Sequence, residues 1–221
     1  MTARHDEIDR HVTEAIANAV THGFGLLASL IALPVLIAAA SSRNDPLQMT
    51  GAIVYGVSLV VLFGASTLYH SFVNSPARQL LRVIDHSAIY LLIAGSYTPF
   101  ALGALRGTFG YSLLVAVWTM AIAGIAMKFM RGFFTRPLFA VGPYIVMGWI
   151  AVIGIKPLWG NVGPVGVIWM VAGGVFYTGG IVFYANDKRI RYGHAVWHLF
   201  VLAGSVCHFF AVLWHSGVRT A

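Results

Sequence analysis

Seven stretches of this chain contain no Asp, Glu, Lys or Arg: residues 15–42, 46–77, 86–105, 107–127, 137–155, 157–186 and 192–218. Each has about the 20 residues that an α-helix needs to cross the hydrocarbon core of a bilayer, and a membrane strand needs only about 10. Within lipid the backbone must satisfy its own hydrogen bonds, which leaves helices as the form these runs can take. The sequence therefore predicts an all-α integral membrane protein, a seven-transmembrane helix bundle. Of 221 residues, 58% are hydrophobic and 10% charged, so residues 1–221 hold one membrane domain with no room for a second, soluble one.

The first 20 residues hold four acidic groups and no leading apolar core, a pattern unlike a cleaved signal peptide. Ile8, Val12 and Ile16 recur every four residues, so residues 1–20 are expected to form a cytoplasmic segment with a short interfacial helix. Pro34, Pro99 and Pro143 fall inside spans, where neighbouring helices can satisfy the carbonyls they free. The single cysteine, Cys207, excludes a disulfide framework within the chain and is assigned to packing.

The net charge of +7 does not point to nucleic acid, because the basic residues sit in the short connections between apolar runs. The amino-terminal segment and alternate loops carry Arg4, Arg10, Arg78, Arg82, Lys128, Arg131, Arg136, Lys188, Arg189 and Arg191, against Arg43, Arg106, Lys156 and Arg219 on the other side. That bias puts the amino terminus in the cytoplasm and, after seven spans, the carboxyl terminus outside. It argues against a G-protein-coupled receptor, whose amino terminus lies outside, and the seventh span lacks the lysine of a retinal protein.

With this orientation span 2 ends at the cytoplasmic face near His70, while Asp85 opens span 3 and His194 and His198 open span 7. Four potential metal or proton ligands, distant in sequence, are thus expected in one layer of the membrane, where ionisable groups tend to mark function. His194 and His198 share a helix face about 6 Å apart along the axis. Zinc takes imidazole nitrogen at about 2.0–2.1 Å, and catalytic sites commonly combine three protein ligands with a water, so His70 is the expected third ligand. Ala195, Val196 and Trp197 lie between the two histidines in place of the built-in glutamate of H-E-x-x-H, so a general base must come from elsewhere. Asp85 is assigned that role, with Ser66, one turn from His70, beside it. Singly each has an ordinary explanation: interfacial histidines bond headgroups, a helix-start aspartate is favoured by the dipole, and a helical serine bonds the carbonyl four residues back. Their convergence is what points to a metal.

Other polar residues are less telling. His208 lies 14 residues after His194, about 21 Å along the helix, so it cannot bind the same ion. A buried histidine bonded inside a cavity, or a proton relay, fits it better than haem, since no second helix offers a matching pair. Glu14, Asn18 and His22 form a stripe at the level of the candidate site, either a solvated face or part of the site's surroundings. The loop arginines are topology signals that also meet anionic lipid.

The segments E-A-I-A-N-A-V-T-H (Glu14 to His22), S-T-L-Y-H (Ser66 to His70), I-D-H-S-A-I (Ile84 to Ile89), G-S-Y-T-P-F (Gly95 to Phe100), H-A-V-W-H (His194 to His198) and C-H-F-F (Cys207 to Phe210) occur in that order. In them the chain resembles the bacterial hemolysin III group of the progestin and adipoQ receptor family. The resemblance covers almost the whole chain. It implies seven helices with an inward amino terminus, a zinc ion on His70, His194 and His198, and a water at that zinc attended by Asp85 and Ser66. The long acidic amino-terminal region of the family's receptors is missing, which argues against a hormone-receptor role.

Two functions follow from the residues and the resemblance together. One is a zinc-dependent hydrolase of lipid amides or esters, suggested by the family's kinship with ceramidases, whose substrate reaches the site laterally from the bilayer. The other is a non-enzymatic regulator of membrane homeostasis or lipid sensor with structural zinc. A pore, as the word hemolysin suggests, ranks below both, because the polar groups cluster at one side instead of lining several spans. The expected location is the cell (inner) membrane, with membrane lipids as partners and no nucleic acid. A fluorescent reporter fused after Ala221 should stay dark in a bacterial host and a phosphatase fused there should be active, the reverse of the same fusions before Met1.

Overall fold

The computed structural model describes residues 2–130 and 137–217, with side chains described for 11–130 and 141–217. Arg131, Arg136 and Arg219, and the side chains of Arg4 and Arg10, lie outside the described residues, so the charge count at those positions is not compared further. The described residues form α1 (Thr2–Ser41), α2 (Pro46–Ser71), α3 (Arg78–Leu102), α4 (Thr108–Phe129), α5 (Pro137–Trp149), a 3₁₀ turn (Ile150–Gly154), α6 (Ile155–Asn161), α7 (Pro164–Ala185) and α8 (Gly193–His215). Six stretches are long and apolar enough to cross a membrane: His11–Ser41, Pro46–Ser71, Thr108–Phe129, Val141–Asn161, Pro164–Ala185 and Gly193–His215. The seventh span is α3, 25 residues long but less apolar because Arg78, Arg82 and Asp85 occupy its first turns.

Three boundaries differ from the sequence reading. The amino-terminal segment and the first span are one unbroken helix, so no separate interfacial helix precedes the span. Helix α3 starts at Arg78, before the charge-free run, which places Asp85 two turns inside it and buried. The fifth span continues through the 3₁₀ turn and α6, so Lys156 lies within a helix and not in a loop. The break falls instead at Gly163, whose φ of 83° is open to glycine, followed by Pro164 at the first position of α7.

Neighbours in the bundle are α1 with α2, α2 with α3, α3 with α4, and α7 with α8, and α1 also packs on α8 to close the group. Helix α3 further touches α5 and α8. Tyr55, Phe63, Leu36 and Leu59 are fully enclosed in the main core, and Tyr90, Val117 and Met147 in a second one between α3, α4 and α5. Ile31, Val115, Ile122 and Val182 are exposed on the outside, the surface expected where lipid replaces water. Helix–helix approach in lipid relies on small residues, and Gly51 of α2 lies against the backbone of Pro99 on α3, where an added Cβ would stand 2.7 Å from Pro99 Cα.

At the end of the bundle away from the amino terminus, polar contacts tie four helices. Arg43 donates to the Leu213 carbonyl at 2.8 Å, to Gln48 Oε1 at 3.2 Å and to Ser216 Oγ at 3.4 Å. Asp45 caps α2 by accepting from the backbone of Leu47 and Gln48, and pairs with Arg106 at 2.6 Å. The Gln48 amide and the Arg106 guanidinium hold its carboxyl below the usual carboxylate range. Gly51→Ala should destabilise the purified protein by about 1–3 kcal/mol, the usual cost of overpacking, whereas Gly148→Ala, with nothing within 4 Å of its added Cβ, should leave the unfolding midpoint in detergent unchanged.

Candidate metal centre

Helix α2 ends with His70, α8 begins with His194 and His198, and the two helix ends lie side by side. One ligand atom from each of these three histidines lies within 4.8 Å of the others, close enough to hold a metal ion. Ring centroids are 5.0 Å apart for His70 with His194, 5.0 Å for His70 with His198 and 4.8 Å for His194 with His198.

The surroundings determine which nitrogen each ring offers. His198 Nδ1 lies 3.2 Å from the Asn18 carbonyl and 3.1 Å from Thr21 Oγ1. A carbonyl only accepts, and the Thr21 hydrogen is directed to Ala17 and Asn18 carbonyls, so Nδ1 carries the ring hydrogen and Nε2 the lone pair. His198 Nε2 and His70 Nε2 are buried with no partner among the described residues. His194 Nδ1 lies 3.3 Å from Asp187 Oδ2, an arrangement that leaves Nε2 of His194 to bind. Two unpartnered buried imidazole nitrogens and a third oriented by a carboxylate suit zinc in both donor type and outer support.

Ser66 is buried one turn before His70, with its hydroxyl close to the Asp85 carboxyl. Asp85 is itself buried and, with His22 and Trp197, lines a cavity whose wall does not include the three histidines themselves. His86 Nδ1, 3.8 Å from Asp85, donates instead to the Arg82 carbonyl at 2.8 Å.

The stripe on α1 is not a solvated face. Asn18 and His22 are 8% and 2% exposed. The His22 ring stacks on His198 with centroids 3.5 Å apart and planes 13° from parallel, and Phe63 meets its edge. Both His22 nitrogens are buried with no partner among the described residues. Glu14 accepts from the backbone N–H of Tyr192, the left-handed residue directly before α8 (φ 59°). Asp187 and Thr21 went unnoticed in the sequence: Asp187 sits in a charged connection that reads as a topology signal, and its place seven residues before His194 becomes meaningful only once the chain folds back at Tyr192.

His208 lies outside this centre, as its helical spacing requires, with Nε2 3.1 Å from the Met170 carbonyl. It lines the same cavity, which runs between α3 and α8 on one side and α5, α6 and α7 on the other. The cavity has a volume of about 200 Å³. Along α7 it extends from Val167 to Tyr184, about 25 Å at the helical rise, and its walls are mostly apolar.

Fold and centre together define a multi-pass helical membrane protein with a three-histidine cluster, His198 of it buried, next to a long apolar cavity. Residues 10–209 match the family described as Haemolysin-III related, and the chain belongs to that family. It is 44% identical over 206 residues to "Hemolysin-3 homolog" of Bacillus subtilis (strain 168), covering 92% of this chain and 95% of that one. It is likewise 44% identical over 217 residues to "Hemolysin-3" of Bacillus cereus, covering 97% of each. "Monocyte to macrophage differentiation factor" of Homo sapiens is 28% identical over 208 residues, 90% of this chain and 83% of its own length, so the likeness reaches beyond bacteria.

Asp187→Asn should weaken metal retention by roughly 10- to 100-fold, the usual effect of removing a carboxylate behind a histidine ligand, as measured by competition with a chelator; the double variant His194→Ala, His198→Ala should hold no metal at all.

Proposed function

We propose that the chain is a metal-dependent hydrolase of a lipid amide or ester, with zinc on His70, His194 and His198. The observation that carries this reading is that the three-histidine cluster adjoins the Asp85 end of a long apolar cavity, whose wall there includes His22 and Trp197, both in ring contact with His198. When bound there, zinc supplies Lewis acidity toward a carbonyl and lowers the pKa of water.

The chain's own residues provide the rest. Asp85, the carboxylate that lines the cavity at this end, accepts the proton of the attacking water and returns it to the leaving group. Ser66, whose hydroxyl lies close to that carboxylate, helps to position it. The apolar walls formed by Ile89, Ile93, Val141, Ile145, Val171 and Ile181 take up the substrate's tail and exclude water. A lipid that moves sideways from the bilayer presents its polar linkage at this level while its tail stays in apolar surroundings throughout.

The second reading, a regulator with structural zinc, draws support from the same three histidines, which link α2 to α8 across two helix ends. It has no need of a working Asp85. The pore suggested by the names of the Bacillus relatives is the weakest fit, since an apolar cavity wall offers ions no polar path.

Elemental analysis of detergent-purified protein should find about one zinc per chain. Asp85→Asn should retain that zinc while lowering turnover of a panel of lipid amides and esters by about 100- to 10,000-fold, the usual contribution of a general base. Zinc in both proteins with full biological function in Asp85→Asn would establish the regulator instead, and protein that cannot be loaded with zinc would remove both readings.

A further inference from the structure

Most polar side chains along the cavity have their hydrogens committed within the protein. Tyr97 donates to the Met147 and Gly148 carbonyls, Tyr144 to the His86 carbonyl, Trp149 to Thr178 and Ser96 to the Ile93 carbonyl, while Tyr177 is paired with Ser205. His208 differs, because one of its two polar atoms is left over. Its Nε2 faces the Met170 carbonyl at 3.1 Å, and a carbonyl has no hydrogen to give, so Nε2 carries the ring hydrogen. In the neutral ring the lone pair is then on Nδ1, and none of the described residues donates to it. Nδ1 is also absent from the enclosed, unpartnered atoms that include both nitrogens of His22. The His208 ring is only partly buried although it lies deep in the bundle, and what it faces is the cavity.

The fold makes room for this ring. At Gly173 of α7 any Cβ would collide with Cδ2 and Nε2 of His208, and Tyr177 packs against the ring with centroids 5.3 Å apart. An imidazole is costly at this depth, and leucine would have filled the space with no polar atom to satisfy. His208 stands ten residues beyond His198 on α8, about 15 Å along the helix. With carbon–carbon bonds of about 1.5 Å at tetrahedral angles, roughly twelve carbons of an extended chain cover that distance.

We infer that His208 forms a hydrogen-bond-accepting subsite within the cavity that selects lipid chains bearing a hydroxyl group at this depth. The inference rests on the reading that a lipid chain fills the cavity with its head at the histidine cluster, but it requires no catalysis. A hydroxyl buried against apolar walls loses its bonds to water, and Nδ1 of His208 restores one of them. The selectivity expected from one net hydrogen bond is about three- to ten-fold in affinity.

The test uses the full chain in detergent and measures displacement of cis-parinaric acid by octadecanoic acid, 12-hydroxyoctadecanoic acid and the methyl ether of the latter, which keeps the oxygen but has no hydrogen to donate. The hydroxy acid should bind about three- to ten-fold more tightly than the other two. His208→Phe should abolish the difference without weakening octadecanoic acid, and His208→Gln, which keeps an acceptor, should preserve part of it. If His208→Phe fails to fold, the three ligands on the unaltered protein still decide the matter. Equal affinities would overturn the inference and leave the lipid-filled cavity standing; failure of all three to displace the fluorescent acid would overturn both.

Discussion

A polar atom buried at membrane depth has no water to turn to, and the arrangement of α1, α2, α3 and α8 follows from that constraint. At the end near the amino terminus, the ring hydrogen of His198 goes to α1 through the Asn18 carbonyl, and Ser66 of α2 lies close to Asp85 of α3. At the opposite end Arg43, directly after α1, reaches Gln48 of α2 and the carbonyl of Leu213 on α8, while the Ala104 N–H, just past α3, donates to the Ser216 carbonyl at 2.8 Å. The same four helices are therefore tied by polar contacts at both ends. Between those ends apolar side chains such as Tyr55, Leu59 and Phe63 fill the core.

The remaining helices border the cavity. α4 and α7 contribute few enclosed side chains besides glycine: Gly110 and Gly124 in α4, Gly166, Gly173 and Gly180 in α7. α7 nevertheless packs along α8, and α4 along α3. The cavity lies along the seam between α3 and α8 on one side and α5 to α7 on the other, and its Asp85 end adjoins the layer where His70, His194 and His198 meet. Hydrogen bonds cross this seam as well, from Tyr97 to the Met147 and Gly148 carbonyls and between Tyr177 and Ser205, so the cavity runs between ties and not through an unbonded gap.

Much of this was legible in the sequence. Charge-free runs mark the helices because every charge in lipid is costly, and loop charges separate the two sides, so the ends bearing His70, Asp85, His194 and His198 could be assigned to one layer without knowing any contact. The i, i+4 spacing of His194 and His198 survives into the structure because a helix preserves it. What the sequence concealed depends on through-space relations. His22 stacking on His198 joins residues 176 positions apart, and Asp187 behind His194 requires the turn at Tyr192. Lys156 misled for a different reason: a charge was taken as a loop, but a helix end can carry a lysine, and the chain stops where Gly163 and Pro164 forbid continuation.

The fifth span shows how the chain admits irregular backbone at the cavity wall. After Trp149 the helix tightens to 3₁₀ geometry over Ile150–Gly154, and such a change in mid-span shifts the backbone ladder so that some groups lose their partners. Tyr97 of α3 compensates. Its hydroxyl lies 3.0 Å from the Met147 carbonyl, 2.7 Å from the Gly148 carbonyl and 3.2 Å from the Ala151 N–H, so a single oxygen serves as donor to the first two and acceptor from the third. Trp149 and Tyr144 add bonds to Thr178 and to the His86 carbonyl on either side. Gly148, Ala151, Val152 and Ile155 all line the cavity around this irregular stretch. In hydrocarbon such a stretch persists only where protein satisfies it, and the hydroxyl that does so sits on α3, the helix that also carries Asp85 to the candidate metal centre.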